Sequence, residues 1–219
     1  MKNNKSQFHE ALALLRMFSS GVVMSIEKNQ RELIGLERLL QMQLGFPHVA
    51  LFSSLQGAIH AGLIAKSYKH GDFVTVDPVW TNTPVANFLK YLGFTFVHQQ
   101  NGLTQHIGPH MFLDINDWNG QSFKSEATLI LDLSSLGYGS AAAYLTRNAL
   151  ERKVAERLKI FGEHDLQIMW EKKAIPLAGP ATVQFNYRLS PVVAGLIRAQ
   201  WGGNSERFSQ KCSSLSNEH

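Results

Sequence analysis

Ser53-Ser54-Leu55-Gln56-Gly57 follows the apolar run Val49-Ala-Leu-Phe-Ser53 and opens a helical stretch. A strand that passes through small polar residues into a helix leaves backbone N–H groups unpaired, and these attract phosphate. The same residues also suit an ordinary strand-to-helix turn capped by Ser54, and on the residues alone that plainer reading ranks first. Neither GxGxxG nor a GxxxxGK motif is present, so dinucleotide and P-loop sites lose their main support.

Asp132 is the second candidate. It ends the apolar run Leu129-Ile-Leu131, and ligands of open α/β sheets sit outside the carboxyl ends of the strands. A carboxylate there can keep a pyridine nitrogen protonated, which makes the ring an electron sink. It can equally cap the turn that follows; spacing leaves both roles open. The nine histidines include His98, His106 and His110 in one irregular stretch. Without CxxC, HExxH or paired carboxylates they read as surface-loop residues, and no metal site is expected. No GxSxG elbow supports a serine triad.

These residues need elements to hold them. Leu33, Leu36, Leu40 and Leu44 recur at steps of three and four, so residues 28 to 44 form a helix with a stripe for burial, preceded by another over 8 to 18. Gly45-Phe-Pro ends the second helix. Strands are expected at 49–53, 73–77, 94–97, 127–132 and 142–146, with a further one at 111–115 inside the irregular region 98 to 126. Helices are expected over about 58–68, 84–92, 149–161 and 191–201. Strand alternating with helix implies an α/β layer with parallel strands.

Composition sets outer bounds. The 219 residues can bury a substantial core, and 44% hydrophobic with 17% charged residues is ordinary for a globular chain. One cysteine, Cys212, excludes an intrachain disulfide framework and points to a reducing cytoplasm. The start is polar, and no run is long enough to span a bilayer, so no membrane association is expected. The net charge of +4 comes from scattered residues, which gives no nucleic-acid module.

In order along the chain, several segments resemble the DegT/StrS-type sugar aminotransferases, relatives of the fold-type I pyridoxal phosphate enzymes. Ser20-Gly21 and Leu36-Glu37 are similar to the family's opening helix pair. Ser53-Ser54-Leu55-Gln56-Gly57-Ala58 lies where the family has its phosphate turn, Ser-Gly-Thr-Ala-Ala-Leu. Gly71-Asp72, Pro78, Trp80-Thr81 and Leu92-Gly93 match further landmarks, and Asp132 falls on the aspartate beneath the pyridine nitrogen. Phe185-Asn-Tyr-Arg-Leu-Ser190 is the most specific match. The resemblance implies a three-layer α/β sandwich with a mainly parallel sheet, a reduced form of the family's large domain, over residues 1–201. A polar tail, 202–219, is expected to be disordered and is too short for the family's small domain. The resemblance further implies Ser53, Ser54, Trp80, Asp132, Ser135, Asn186 and Arg188 as cofactor-side residues, the last pair reaching a neighbouring subunit's site.

The departures bear on chemistry. Leu55 replaces the phosphate-turn threonine, Asn82 stands where an aromatic ring stacks on the cofactor, and Ser135 replaces a histidine or glutamine. Family members run from the aspartate through a glycine-rich stretch to a lysine; here Gly139-Ser-Ala-Ala-Ala-Tyr144 joins the ends directly. That lysine holds the cofactor and moves the proton in transamination. Lys124, Lys153 and Lys159 are the nearest substitutes and read as solvated charge.

The expectation is therefore a degenerate sugar-aminotransferase-like protein with no catalytic lysine. It would bind a nucleotide-sugar-like ligand or a partner subunit in nucleotide-sugar or surface-polysaccharide metabolism, as a homodimer or a heterodimer with a related chain. One alternative is an active enzyme holding pyridoxal or pyridoxamine phosphate noncovalently. Another is a scaffold or inactive subunit paired with a full-length relative.

Overall fold

The computed structural model describes residues 11–12, 14–15, 30–98, 105–159 and 185–201. The Ser20-Gly21 match and the tail 202–219 lie outside the described residues.

The leucine stripe folds as α1 (Gln30–Leu44), in which Leu36, Leu40 and Leu44 are fully buried and Leu33 packs against them half-buried. Each leucine removed from water contributes about 2 kcal/mol. Gly45 ends the helix with a left-handed φ of 75°, and its N–H donates to the Gln41 carbonyl. Then follow β1 (His48–Phe52), α2 (Leu55–Ala65), β2 (Phe73–Val76), α3 (Pro84–Tyr91) and β3 (Thr95–His98). After residues 99–104 come β4 (His106–Ile107), β5 (His110–Asp114), β6 (Thr128–Asp132), β7 (Ala142–Thr146) and α4 (Ala149–Lys159). Residues 191–201 form α5.

The strands make one seven-stranded sheet in the order β1-β7-β6-β5-β4-β2-β3. Alternation on the strands separates two cores. Val49 and Leu51 of β1, Leu129 and Leu131 of β6, and Ala143 and Leu145 of β7 face α1 and α5. Ala50, Phe52, Ile130, Ala142 and Tyr144 face the other way, against α2, α3 and α4. Helix, sheet and helix form the three layers expected.

The sheet corrects the strand-pairing expectation. Only β5–β6 and β2–β3 pair in parallel; β1–β7, β7–β6, β5–β4 and β4–β2 are antiparallel. The two reversed strands, β4 and β7, lie inside the sheet, so each spoils two pairings while β1, β2, β3, β5 and β6 still run one way. The region read as irregular holds β4, which forms a tight hairpin with β5 by pairing Ile107 with His110. Helix α2 also begins three residues early, at Leu55, because Ser54 Oγ accepts the Gly57 N–H at 3.1 Å and caps the first turn.

The edge of β1 is covered, as an exposed strand edge needs to be. Arg152 Nε donates to the Val49 carbonyl, Phe52 bridges to Arg188, and the Ser53 N–H donates to the Tyr187 carbonyl. Arg152 Nη2 also meets Glu37 at 3.3 Å, and Lys159 Nζ pairs with Glu156 at 2.6 Å. Lys159 is buried, 7% exposed, so it is not the solvated charge expected; Lys124 and Lys153 are exposed.

His110 is likewise no surface-loop residue: it is fully buried between β6 and α2. The Thr128 hydroxyl donates to the Pro109 carbonyl, so it accepts from His110 Nδ1 at 2.9 Å. Burial, then repulsion from Lys66, lowers the imidazole pKa to about 3 against the weaker pull of Glu151, and keeps the ring neutral.

Candidate functional site

The pairing register places the sequence candidates at one end of the sheet. Phe52 pairs with Ala142, Ala142 with Asp132, and Asp132 with Asp114, a single row across β1, β7, β6 and β5. Ser53 and Ser54 continue from β1, and Ser134 and Ser135 from β6. The capped start of α2 thus stands two strands from Asp132, roughly 10 Å away at the usual strand spacing.

Ser54, Asp132 and Ser135 each have a local partner. Ser54 holds Gly57 N–H, as above, and Leu55 turns into the core beside α2. Asp132 is half-buried, and its Oδ1 accepts the Ser134 N–H at 2.9 Å. Ser135 is exposed and donates to Asp114 Oδ1 at 2.7 Å, where the Asn116 N–H also donates. Of the two roles open to Asp132, the turn cap is therefore present; its second oxygen remains at the strand end.

Trp80 lies in the turn after β2, 8% exposed, with its ring edge-on to Phe112 at 4.7 Å. Its Nε1 is buried with no hydrogen-bond partner among the described residues. Asn82 is exposed and left-handed, φ 65°.

Arg188 extends the row past β1 through its bridge to Phe52, and Asn186 lies two residues before it, beyond the β1 edge. Arg188 Nε donates to Asn186 Oδ1 at 3.0 Å, and Asn186 is exposed. Between them Tyr187 lies along α2: a Cβ on Gly57 would stand 2.8 Å from its ring, and its hydroxyl meets His60 Nδ1 at 3.1 Å. Phe185 stacks on Tyr187, and its ring meets His60 edge-on. Burial lowers the His60 pKa to about 4 and raises that of Tyr187, so the pair is a neutral contact pinning 185–188 to the helix.

Sequence reasoning did not single out Asp114 or the Tyr187–His60 pair. Asp114 carried the same signal as Asp132, a carboxylate closing an apolar strand. Tyr187 carried none beyond its place between Asn186 and Arg188. Among the described residues no group of three or more His, Cys, Asp or Glu could hold a metal ion.

No protein-family model matches the chain, and no curated protein sequence matches it. Solved structures do. NtdA from Bacillus subtilis, with bound cofactor PMP, superposes at TM-score 0.64 and 14% identity, over 99% of this chain and 59% of that one. A DegT DnrJ EryC1 StrS aminotransferase from Brucella abortus gives TM-score 0.65 at 11% identity, over 91% and 64%. Its fold is that of the DegT/StrS-type aminotransferases. Helicobacter pylori PseC, an aminotransferase of pseudoaminic acid biosynthesis, adds TM-score 0.61 at 14% identity, over 90% and 63%. The chain spans about 60% of the length of these proteins.

Whether an aminotransferase cofactor fits can be judged at the row itself. Because Asp132 and Ala142 are register partners, β6 and β7 are direct neighbours. The residues between them, Leu133-Ser-Ser-Leu-Gly-Tyr-Gly-Ser-Ala141, close as a turn in which the Leu133 N–H donates to the Ala141 carbonyl. That turn carries no amine. A covalently held pyridoxal phosphate does not fit these residues.

Proposed function

We propose that the chain is a degenerate sugar-aminotransferase-like protein that does not transaminate. In this reading it is a cytoplasmic dimer that binds a nucleotide-sugar-like ligand or a related subunit, in nucleotide-sugar or surface-polysaccharide metabolism. The observation that carries it is the closed, lysine-free hairpin between Asp132 and Ala142, set in an aminotransferase fold. Schiff-base catalysis needs an amine within reach of the ring, and the hairpin leaves no loop between Asp132 and Ala142 to bring one.

Mixing the purified chain with pyridoxal phosphate is expected to give the spectrum of free cofactor, with no borohydride-trapped lysine. A new visible band together with one trapped lysine would sink the proposal. Binding of pyridoxamine phosphate with conversion of a keto sugar would favour a noncovalent enzyme instead.

The exposure of Asn186 supports the second reading, an inactive subunit paired with a full-length relative. Co-expression with an aminotransferase of this fold is expected to yield a mixed dimer that Asn186→Ala and Arg188→Ala weaken. A chain that stays monomeric in size-exclusion chromatography, alone and with that relative, counts against this reading.

A further inference from the structure

The outer face of α1 meets α5 in an open groove whose lining includes Arg31, Ile34, Arg38, Leu39 and Met42. Its floor exists because residue 35 is glycine: a Cβ there would stand 2.5 Å from Nη1 of Arg198, whose guanidinium lies across the gap. Arg198 is held in place by Glu32, 3.1 Å away on α1. Arg31 and Arg38 are exposed and form no ion pair among the described residues. Among the described residues, three guanidinium groups against one carboxylate leave the groove net basic. Its apolar part is equally open to water, with Ile34 39% and Met42 75% exposed.

We propose that this groove docks an acidic amphipathic helix of a partner protein. Charge complementarity selects the acidic partner, because Arg31 and Arg38 stand one above the other, two turns apart, on the same stripe of α1 as Ile34 and Met42. The apolar pair selects the helix: Ile34 and Met42 share one side of α1 about 12 Å apart, a separation that matches two turns of a second helix laid along the groove. Methionine at such a position adapts to the shape laid on it. A small anion is disfavoured, since ligand pockets enclose most of their ligand and this groove is open along both helices. None of the lining residues belongs to the strand-end row, so the proposal stands apart from the reading of that site.

The probe is a synthetic peptide of about 16 residues with leucines on one helical face and glutamates flanking them. Its binding to the full chain is followed by fluorescence anisotropy. The acidic peptide is expected to bind about tenfold tighter than its lysine-for-glutamate counterpart, and to weaken as salt rises. The double variant Arg31→Glu, Arg38→Glu is expected to lose about tenfold in affinity, while Lys90→Glu on α3, across the sheet, changes nothing. Circular dichroism checks that both variants fold. Equal binding of the acidic and basic peptides, or unchanged affinity of the double variant, overturns the proposal. So does equal binding of a peptide whose leucines are serines, or arginine-dependent binding of inorganic pyrophosphate alone, either of which would make this a simple anion site.

Discussion

Replacing Glu151 with alanine is expected to lower the free energy of unfolding by about 3 kcal/mol, read as a fall in the urea midpoint at unchanged slope. Glu151 sits in the first turn of α4, where the helix dipole favours a carboxylate. One oxygen accepts Lys66 Nζ of α2 at 2.7 Å; the other accepts the Tyr144 hydroxyl at 2.9 Å and the Thr146 hydroxyl at 2.6 Å, both from β7. One side chain therefore ties two helices to an interior strand of the sheet. Alanine would strand an ammonium and a buried phenol together, and stranded groups cost more than the bonds themselves contribute. Glutamine keeps one acceptor and loses the charge, so Glu151→Gln is expected to cost roughly half as much. Burial pushes the Glu151 pKa up more than any other single influence, yet the bonds from Lys66, Thr146 and Tyr144 bring it below the ordinary value. Its stabilisation is present above the unfolded value and is lost as pH falls through the lower folded one. If alanine left stability within a few tenths of a kcal/mol, the network would be a surface decoration rather than a tie.

The layers of this fold were legible because burial writes a period into the chain. The leucines of α1 marked its buried stripe, and Leu129-Ile-Leu131 marked a strand with helices on both faces. Direction was not legible. A strand buried on both faces looks the same whichever way it runs, so β7 gave no sign of its reversal in Ala142-Ala-Tyr-Leu-Thr146. The short β4 was hidden for another reason: two residues are too few to show a period, and its pairing with His110 depends on a turn at Gly108, φ 59°.

At the site, chain order was informative and side-chain partners were not. The register row joining Phe52, Ala142, Asp132 and Asp114 turns a gap in sequence into two strands hydrogen-bonded side by side. The hydrogen bonds of Ser54, Asp132 and Ser135 are local contacts that no spacing rule separates from ligand contacts. His110 and Lys159 went the other way. Polar residues are usually exposed, and these two are buried only because Thr128 and Glu156 happen to face them.

Glu37→Gln is expected to stabilise the protein by about 2 kcal/mol at pH 8 and to have no effect below pH 4.5. Glu37 is half-buried, its side chain 12% exposed, where α1, α4 and the edge of β1 meet. Burial, then repulsion from Glu156, raises its pKa from 4.5 to about 7, against the opposing pull of Lys159 and Arg152. Between those two values the folded chain holds a proton at Glu37 that the unfolded chain has released. Its contribution to stability therefore falls as pH rises through this window, and the full penalty applies above pH 7. The buried histidines act with opposite sign. His60 and His110 fall from 6.5 to about 4 and about 3, so each adds stability as pH rises toward 6.5. Two histidines outweigh one glutamate, and the wild-type curve is expected to climb through that range despite Glu37. Only the difference between the two proteins isolates the carboxyl: zero in acid, widening from pH 4.5, level beyond pH 7. Glutamine still accepts from Arg152 Nη2, now 3.3 Å from Glu37 Oε2, so the geometry survives the change. Denaturant titrations of both proteins across pH 4 to 8 read the result. A variant less stable than wild type at pH 8 would mean that the ion pair with Arg152 outweighs the desolvation of Glu37.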